Sequence, residues 1–286
     1  MTDETFVKIA VPNKGSLSEA AAQMLREAGY AQRTDSKELV LLDEANGVEF
    51  YYLRPRDIAV YVGEGTLDLG ITGRDMLIDS GAAATEILAL GFGRSRFRFA
   101  APRDAVPGVP GLEGKRIATS YPGLLRGYLD QRGISAKLVH LDGAVESSIA
   151  LGVADAIADV VQTGTTLRKA GLALFGDPIL DSEGILIRNQ GNVDQNALDH
   201  LTRRLSSVLV ARSYVIMDYD CPTGILDAAT AMTPGFESPT VSPLAREGWV
   251  AVRSMVPSSD AQRLMDDLWD LGARAILVTD VSACRL

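Results

Sequence analysis

Acidic side chains and a short loop of glycine and hydroxyl residues lie close together in the stretch Glu146–Leu167. Asp155 and Asp159 flank a predicted strand and the loop after it. Backbone N–H groups and hydroxyls in such a loop can bind a phosphate, and the neighbouring carboxylates suit ribose hydroxyls. The spacing is equally compatible with a structural reading, in which Asp155 closes a turn, Asp159 is a solvated strand residue and the loop is a plain connection. The loop residues are Thr163, Gly164, Thr165 and Thr166.

Basic residues recur just after predicted strands in the N-terminal third of the chain. Ligands of α/β proteins bind at the carboxyl ends of parallel strands, and arginine matches the geometry of phosphate. Each of these cations taken singly could be an ordinary surface charge, but as a group they favour an anion site. They are Lys14, Arg54, Arg56 and Arg74, with Asp75, Ser120 and Tyr121 as weaker candidates for contacts to a nucleotide.

Composition excludes several other classes of site. There are 28 basic and 37 acidic residues, a formal charge of −9, which disfavours nucleic acid as a partner. Two histidines and two cysteines are too few for a histidine-rich metal site or a disulfide scaffold, so any metal should be hard and oxygen-ligated. The N-terminus lacks a basic signal region, and no charge-free run approaches the length of a membrane span. We therefore expect a cytoplasmic protein with no membrane partner.

The order of predicted elements indicates an α/β fold with an additional module. Strands and helices alternate up to about residue 97, and a second alternating series follows the Pro- and Gly-rich stretch 102–114. From Ser213 the order becomes βαββαβ, which is the ferredoxin-like arrangement. We predict lobe I at 1–97, lobe II at 98–180, a return to lobe I with a linker helix at 181–212, and a C-terminal α+β domain at 213–286.

The acidic stretch and its loop resemble the signature of the ATP phosphoribosyltransferase family. The similarity extends over PNKGSLSE, LRPRDIAVYVGEGTLDLGITGRD, RIATSYP, LDGAVE, YDCP and TPGFESPT, which together cover essentially the whole chain. The family's long form, with a regulatory domain, is the closer match. The matching signature positions are Glu146, Gly152, Ala154, Ile157, Asp159, Val160, Thr163, Gly164, Thr166 and Leu167.

The resemblance implies a fold and a reaction. The fold would be two periplasmic-binding-protein-like α/β lobes around a cleft, followed by an ACT-like domain. Adenine N1 of ATP would attack the anomeric carbon of phosphoribosyl pyrophosphate and release pyrophosphate, with Mg2+ carried mainly by substrate oxygens and water. Asp155 and Asp159 would hold ribose hydroxyls, Glu146 would act electrostatically or on a proton, and Thr163–Leu167 with the cations would bind the phosphates.

The resemblance also implies a regulatory role for the C-terminal domain. It would sense histidine, the end product of the pathway, with Asp220 pairing with the ligand's amine or imidazole. Subunits would associate into dimers and hexamers. Four further positions match those that line the family's effector site, although core packing alone would explain two of them: Phe236, Thr240, Met255 and Ala275.

Two other classes of protein fit parts of the sequence. A two-lobed solute-binding protein would capture a small molecule without chemistry, but such proteins carry an export signal, and the cation set exceeds what an amino-acid binder needs. A purely regulatory amino-acid sensor would use the C-terminal domain and leave some two hundred residues unexplained. An assay for phosphoribosyl transfer separates all three.

Overall fold

We describe a computed structural model of the chain over residues 6–103, 105–161, 164–191 and 193–285. The chain forms two compact units: one ends at Asp199, and the other begins at His200 and also includes the short segment Glu27–Gly29. Among the described residues, no helix is both long and apolar enough to cross a membrane.

The first unit opens with an alternating series that builds lobe I. Its central strands are apolar nearly throughout, as expected of strands covered on both faces. Strands one, three and four of the series run parallel to one another. The elements are β1 (Val7–Pro12), α1 (Ser16–Glu27), β2 (Val40–Asp43), β3 (Val48–Leu53), α2 (Pro55–Gly63), β4 (Leu69–Gly73), α3 (Arg74–Ser80) and β5 (Ala84–Ala89).

Lobe II follows directly and is built around its own sheet, in the order β10-β6-β9-β7-β8. Strands β7, β8 and β9 are parallel, so their carboxyl ends lie at one edge. The elements are β6 (Ser95–Pro102), β7 (Arg116–Thr119), α4 (Pro122–Asp130), β8 (Lys137–His140), α5 (Ser147–Ala150), β9 (Ala156–Val161), α6 (Thr165–Lys169) and β10 (Leu172–Ser182).

The chain then returns to lobe I. Strand β11 (Gly184–Asn189) inserts between β4 and β5, and completes a six-stranded sheet in the order β2-β3-β1-β4-β11-β5. The chain therefore crosses between the lobes twice, after β5 and after β10. A cavity of about 330 Å³ lies beside these crossings and is lined by Arg74 and Glu183 on one side and by Arg96 and Asp181 on the other. This is the predicted architecture of two α/β lobes around a cleft.

The second unit contains the predicted ferredoxin-like module. Helix α7 (Gln195–Ser213) leads into β12 (Tyr214–Pro222), α8 (Leu226–Met232), β13 (Thr240–Pro243), β14 (Trp249–Pro257), α9 (Ala261–Leu271) and β15 (Arg274–Asp280). The antiparallel sheet has the order β13-β14-β12-β15. Alternate residues of β12 are buried with α8 and α9 in one apolar core: Val215, Met217, Tyr219 and Cys221.

Candidate active site

The carboxyl ends of the parallel strands carry nearly all of the predicted site residues. In lobe I, Lys14 follows β1, Arg54 follows β3, and Arg74 follows β4. In lobe II, Tyr121 follows β7, and the hydroxyl loop follows β9. Parallel strands of one sheet end at a common edge, so the fold gathers residues that are far apart in sequence.

A cavity of about 300 Å³ joins Glu146, Asp159 and the loop after β9. Burial raises the pKa of Asp159, and the negative charges of Glu146 and Asp75 raise it further. The N–H of Val160, which donates to Asp159 Oδ1 at 2.8 Å, and the guanidinium of Arg56 act in the opposite direction. The cavity therefore places a carboxylate of raised proton affinity next to a loop suited to phosphate.

The loop itself is shaped by one glycine. Gly164 has φ +68 and immediately precedes α6, a conformation that a residue with a Cβ adopts at a cost. Thr165 and Thr166 form the first turn of α6, and the Thr165 hydroxyl accepts from Arg168 at 3.2 Å. Leu167 packs into the core of lobe II beneath them. Any contact of Leu167 with a ligand would therefore come from its main chain. The predicted loop residue Thr163 lies outside the described residues.

Tyr121 lies between groups of opposite charge. The guanidinium carbon of Arg56 lies 4.3 Å from the centroid of its ring. Its hydroxyl is hydrogen-bonded to Asp75, and its pKa is raised, first by burial and then by the charge of that carboxylate. Asp75 also accepts from the Ser182 hydroxyl at 3.0 Å. Ser120, the neighbour of Tyr121, is buried.

The four predicted cations fall into two pairs. Lys14 and Arg54 are exposed and have no acidic partner among the described residues. Arg56 is bound to Asp79 at 3.2 Å, with 43% of its side chain still exposed. Arg74, which lines the cavity beside the crossings of the lobes, makes several contacts within the protein.

Arg74 is held within the protein. Its Nη2 and Nε donate to the two carboxylate oxygens of Glu86 at 2.7 and 2.9 Å. Its Nη1 donates to the carbonyl of Asp181 at 3.2 Å, and Glu183 lies 3.5 Å from Nη2. The bond to Glu86 raises the pKa of Arg74. A bidentate carboxylate therefore already neutralises Arg74 at the crossing between the lobes, and its contact with a substrate phosphate stays a prediction.

Asp155 is bound within the protein as well. It precedes β9, at the end of the strand opposite the loop, and so lies away from Asp159. Arg116 donates hydrogen bonds to both carboxylate oxygens of Asp155: its Nη2 donates to Oδ1 at 2.8 Å, and its backbone N–H donates to Oδ2 at 2.9 Å. These bonds lower the pKa of Asp155 from 3.8 to about 2. We therefore leave Asp155 out of the ribose site.

The variant Asp155→Asn should lower Tm by about 2–4 °C at pH 7, the loss expected for one partly exposed ion pair, and leave kcat unchanged. Because the folded-state pKa is depressed, this stabilisation is present above pH 3.8 and is lost as the pH falls from there towards about 2. Thermal melts of both proteins at pH 7 and pH 3 test this. A Tm difference that does not shrink on acidification would contradict the assignment.

The predicted effector residues lie in the second unit. Strand registers place Asp220 opposite Ala251 and Thr240 opposite Arg253, so Asp220, Thr240 and Met255 share the sheet face opposite α8 and α9. Phe236 is 51% exposed and contacts Tyr214 edge-on. Ala275 follows the residue paired with Asp220 and has φ +52, at an irregularity in the pairing of β15.

The described residues contain no group of three or more His, Cys, Asp or Glu side chains arranged to hold a metal ion. We therefore assign no protein ligands to a metal and derive no catalytic step from one.

The sequence analysis did not identify three residues that organise this region: Asp79, Glu86 and Ser182. Asp79 and Ser182 make their contacts across long sequence separations, to Leu124 and Asp75, and Glu86 binds Arg74, which is 12 residues away. No local motif marks such pairs. The one available signal was Asp79's position in the helix that begins directly after Gly73.

Family models match both units. One described as "HisG: ATP phosphoribosyltransferase" matches residues 54–207, and one described as "HisG, C-terminal domain" matches residues 211–283.

Individual relatives match over nearly the full length. A protein of Pseudarthrobacter chlorophenolicus named ATP phosphoribosyltransferase is 63% identical over 284 residues, 98% of this chain and 100% of the relative. One of Streptomyces coelicolor with the same name is 60% identical over 285 residues, with the same coverage. Among solved structures, an "ATP phosphoribosyl transferase (HisG:HisZ) complex" from Thermotoga maritima superposes with a TM-score of 0.61 at 25% identity, covering 70% of this chain and 97% of that one.

Proposed function

Because this chain belongs to the ATP phosphoribosyltransferase family, with the long-form architecture, we propose how its residues divide the work of the family's reaction. The enzyme transfers the 5-phosphoribosyl group from phosphoribosyl pyrophosphate to N1 of ATP, giving phosphoribosyl-ATP and pyrophosphate. This is the first step of histidine biosynthesis. The alternative of a two-lobed binding protein without catalysis is not favoured, because the full-length relatives bear the name of the enzyme.

One observation carries the assignment of the sugar site: Asp159, Glu146 and the loop from Gly164 to Thr166 line the same cavity. The loop's N–H groups and hydroxyls would bind the 5-phosphate. Asp159 lines the same cavity as the loop and would accept hydrogen bonds from the ribose hydroxyls. These two contacts together fix the anomeric carbon at the cleft.

Catalysis in this scheme is mainly electrostatic. As the bond from the anomeric carbon to pyrophosphate breaks, positive charge develops on the ribose ring, and the electron pair leaves with the pyrophosphate. The carboxylates of Asp159 and Glu146 stabilise that charge because they are held in place before the reaction. Adenine N1 carries its own lone pair, so we assign no general base. Orientation of the two substrates supplies the rest of the rate acceleration.

The phosphates of both substrates need compensating charge in a protein of net charge −9. Lys14 and Arg54 are exposed, and neither has an acidic partner among the described residues, which leaves them available to pyrophosphate or triphosphate oxygens. Arg56 has one exposed side beyond its contact with Asp79 and would serve the same purpose. Asp75, Tyr121 and Ser120 would contact ATP.

The family acts with a metal, and we propose Mg2+ for this enzyme. The substrates' phosphate oxygens are hard ligands that Mg2+ prefers, and the ion commonly keeps several waters. Bound with the substrate, it would offset the charge of the departing pyrophosphate. The enzyme would work in the cytoplasm, where ATP and phosphoribosyl pyrophosphate are made.

The C-terminal module would provide feedback control. We place histidine on the sheet face that carries Asp220, Thr240 and Met255, with Phe236 and Ala275 near its ends. The edges of its four-stranded sheet suit pairing between subunits, which supports a homo-oligomer of dimers and hexamers.

The test of the function is a direct product assay. The purified enzyme, mixed with ATP, phosphoribosyl pyrophosphate and MgCl2, should produce phosphoribosyl-ATP and an equal amount of pyrophosphate, followed by mass spectrometry and a coupled pyrophosphate assay. Omission of either substrate is the control. Binding of both substrates without product would instead support a ligand-binding protein.

A further inference from the structure

Helix α4 of lobe II is capped by a side chain from lobe I. Oδ1 of Asp79, in α3, accepts the N–H groups of Gly123 and Leu124 at 2.8 and 3.1 Å. N–H groups in the first turn of a helix have no partner within the helix. The residue at the N-cap position, Tyr121, makes no side-chain cap. Asp79, a residue of the other lobe, therefore provides the hydrogen-bond acceptor that the side chain of an N-cap residue normally provides.

The second oxygen of the same carboxylate binds a cation of the proposed site. Oδ2 of Asp79 accepts from Nη1 of Arg56 at 3.2 Å, and only 12% of the Asp79 side chain is exposed. The guanidinium of Arg56 in turn lies over the ring of Tyr121. One carboxylate thus joins α2, α3 and α4.

The two lobes also meet backbone to backbone at this point. A Cβ at Gly123 would overlap the carbonyl oxygen of Asp79. Only glycine permits this approach of α3 and α4, so the spacing of the lobes here is fixed by contact as well as by hydrogen bonds.

The contact lies next to the groups proposed to bind substrate. Tyr121 separates Arg56 from Asp75, and both of these lobe I residues act electrostatically on Asp159 of lobe II. A change in the position of α4 against α3 would therefore change the distance between the cations of lobe I and the ribose carboxylate of lobe II.

We propose that Asp79 is a positioning residue, which holds the two lobes in the substrate-binding arrangement before either substrate arrives. It contacts no substrate itself. When only a fraction of an enzyme is in its binding-competent arrangement, the apparent affinity falls by that fraction. Loss of the Asp79 contact should therefore weaken substrate binding while the chemistry of the bound complex is preserved.

The first test measures the distance between the lobes without substrate. Spin labels at Glu64→Cys in lobe I and Gln131→Cys in lobe II, in a Cys284→Ser background, report it by double electron–electron resonance. Dilution with unlabelled protein removes distances between subunits. Asp79→Ala should shift the distribution to longer and broader distances, and Gly123→Ala should do the same because its methyl group forces α3 and α4 apart.

The second test is kinetic and rests on the proposed function. Asp79→Ala should raise KM for both substrates about 10-fold. Its kcat should stay within about 2-fold of wild type, since saturating substrate restores the substrate-binding arrangement. Asp79→Asn keeps an oxygen to accept the two N–H groups and should recover most of the KM. The matched control is Asp130→Ala, an exposed carboxylate at the other end of α4, which should behave as wild type.

The outcomes separate this inference from the assignment of the reaction. Unchanged distances in both Asp79→Ala and Gly123→Ala would overturn it, whether or not the enzyme turns over. A fall in kcat at constant KM would also overturn it, because that pattern belongs to a residue acting in the chemistry. Circular dichroism of each variant confirms folding, and if Asp79→Ala does not fold, Gly123→Ala carries the test.

Discussion

Replacement of Asp159 by Asn is expected to lower kcat by about 10²–10³-fold while Tm changes little. A preorganised charged group that faces developing charge contributes on this scale. The side chain is isosteric and would still accept a hydrogen bond from a ribose hydroxyl, so KM for phosphoribosyl pyrophosphate should rise less than kcat falls. Steady-state kinetics with both substrates varied measures the two effects separately.

The pH profile gives an independent readout of the same residue. Burial and the charges of Glu146 and Asp75 raise the pKa of Asp159, so its active, ionised form is lost at a higher pH than for an ordinary carboxyl. The acid limb of kcat/KM should therefore lie above the usual range in the wild type and move to lower pH in Asp159→Asn. Asp155→Asn is the matched control in the same segment. Near-normal turnover in Asp159→Asn would remove this carboxylate from the mechanism.

The second large effect concerns feedback inhibition. Asp220→Ala should raise the histidine concentration needed for half inhibition at least about 10-fold, because the ligand's cationic amine loses its charged partner. Activity without histidine should stay near that of the wild type, since Asp220 belongs to the second unit and not to the catalytic cleft. Initial rates across a histidine titration measure both quantities.

Asp218 provides the control for this experiment. It lies on the same strand and the same sheet face, but its carboxylate is bound to Arg253 at 2.7 Å. Asp218→Ala should leave the half-inhibiting concentration within about 2-fold. Equal sensitivity of Asp220→Ala and the wild type would discredit the effector site.

Strands with a clear local pattern could be predicted from the sequence. Apolar runs bounded by turns and a proline at a first helical position are local signals, and they predict β3, β9 and the start of α2 at Pro55. The sequence did not reveal β10 as a strand. Its centre contains Gly176, Asp177 and Pro178, and the structure accommodates them in an irregularity between Phe175 and Leu180.

Residue types at strand ends indicate which side chains a site could use, but not how those side chains pair. Lys14 and Arg54 are exposed at the predicted junctions, whereas Arg74 is bound by Glu86 and Asp155 by Arg116. The sequence shows that a charged group is present, while its partner depends on which strands become neighbours. Asp155 is four residues from Asp159, but it precedes β9 and is bound by Arg116, whereas Asp159 lies within the strand.

The insertion of β11 between β4 and β5 has a consequence for synthesis of the chain. As the polypeptide leaves the ribosome, β5 is complete while its only neighbour in the sheet is still to be translated, after all of lobe II. Lobe II is a continuous segment and can fold as soon as it is synthesised. Lobe I cannot complete its sheet until β11, at Gly184–Asn189, has been translated. A nascent chain released before that point would carry an unpaired edge at β4, the kind of surface that chaperones protect.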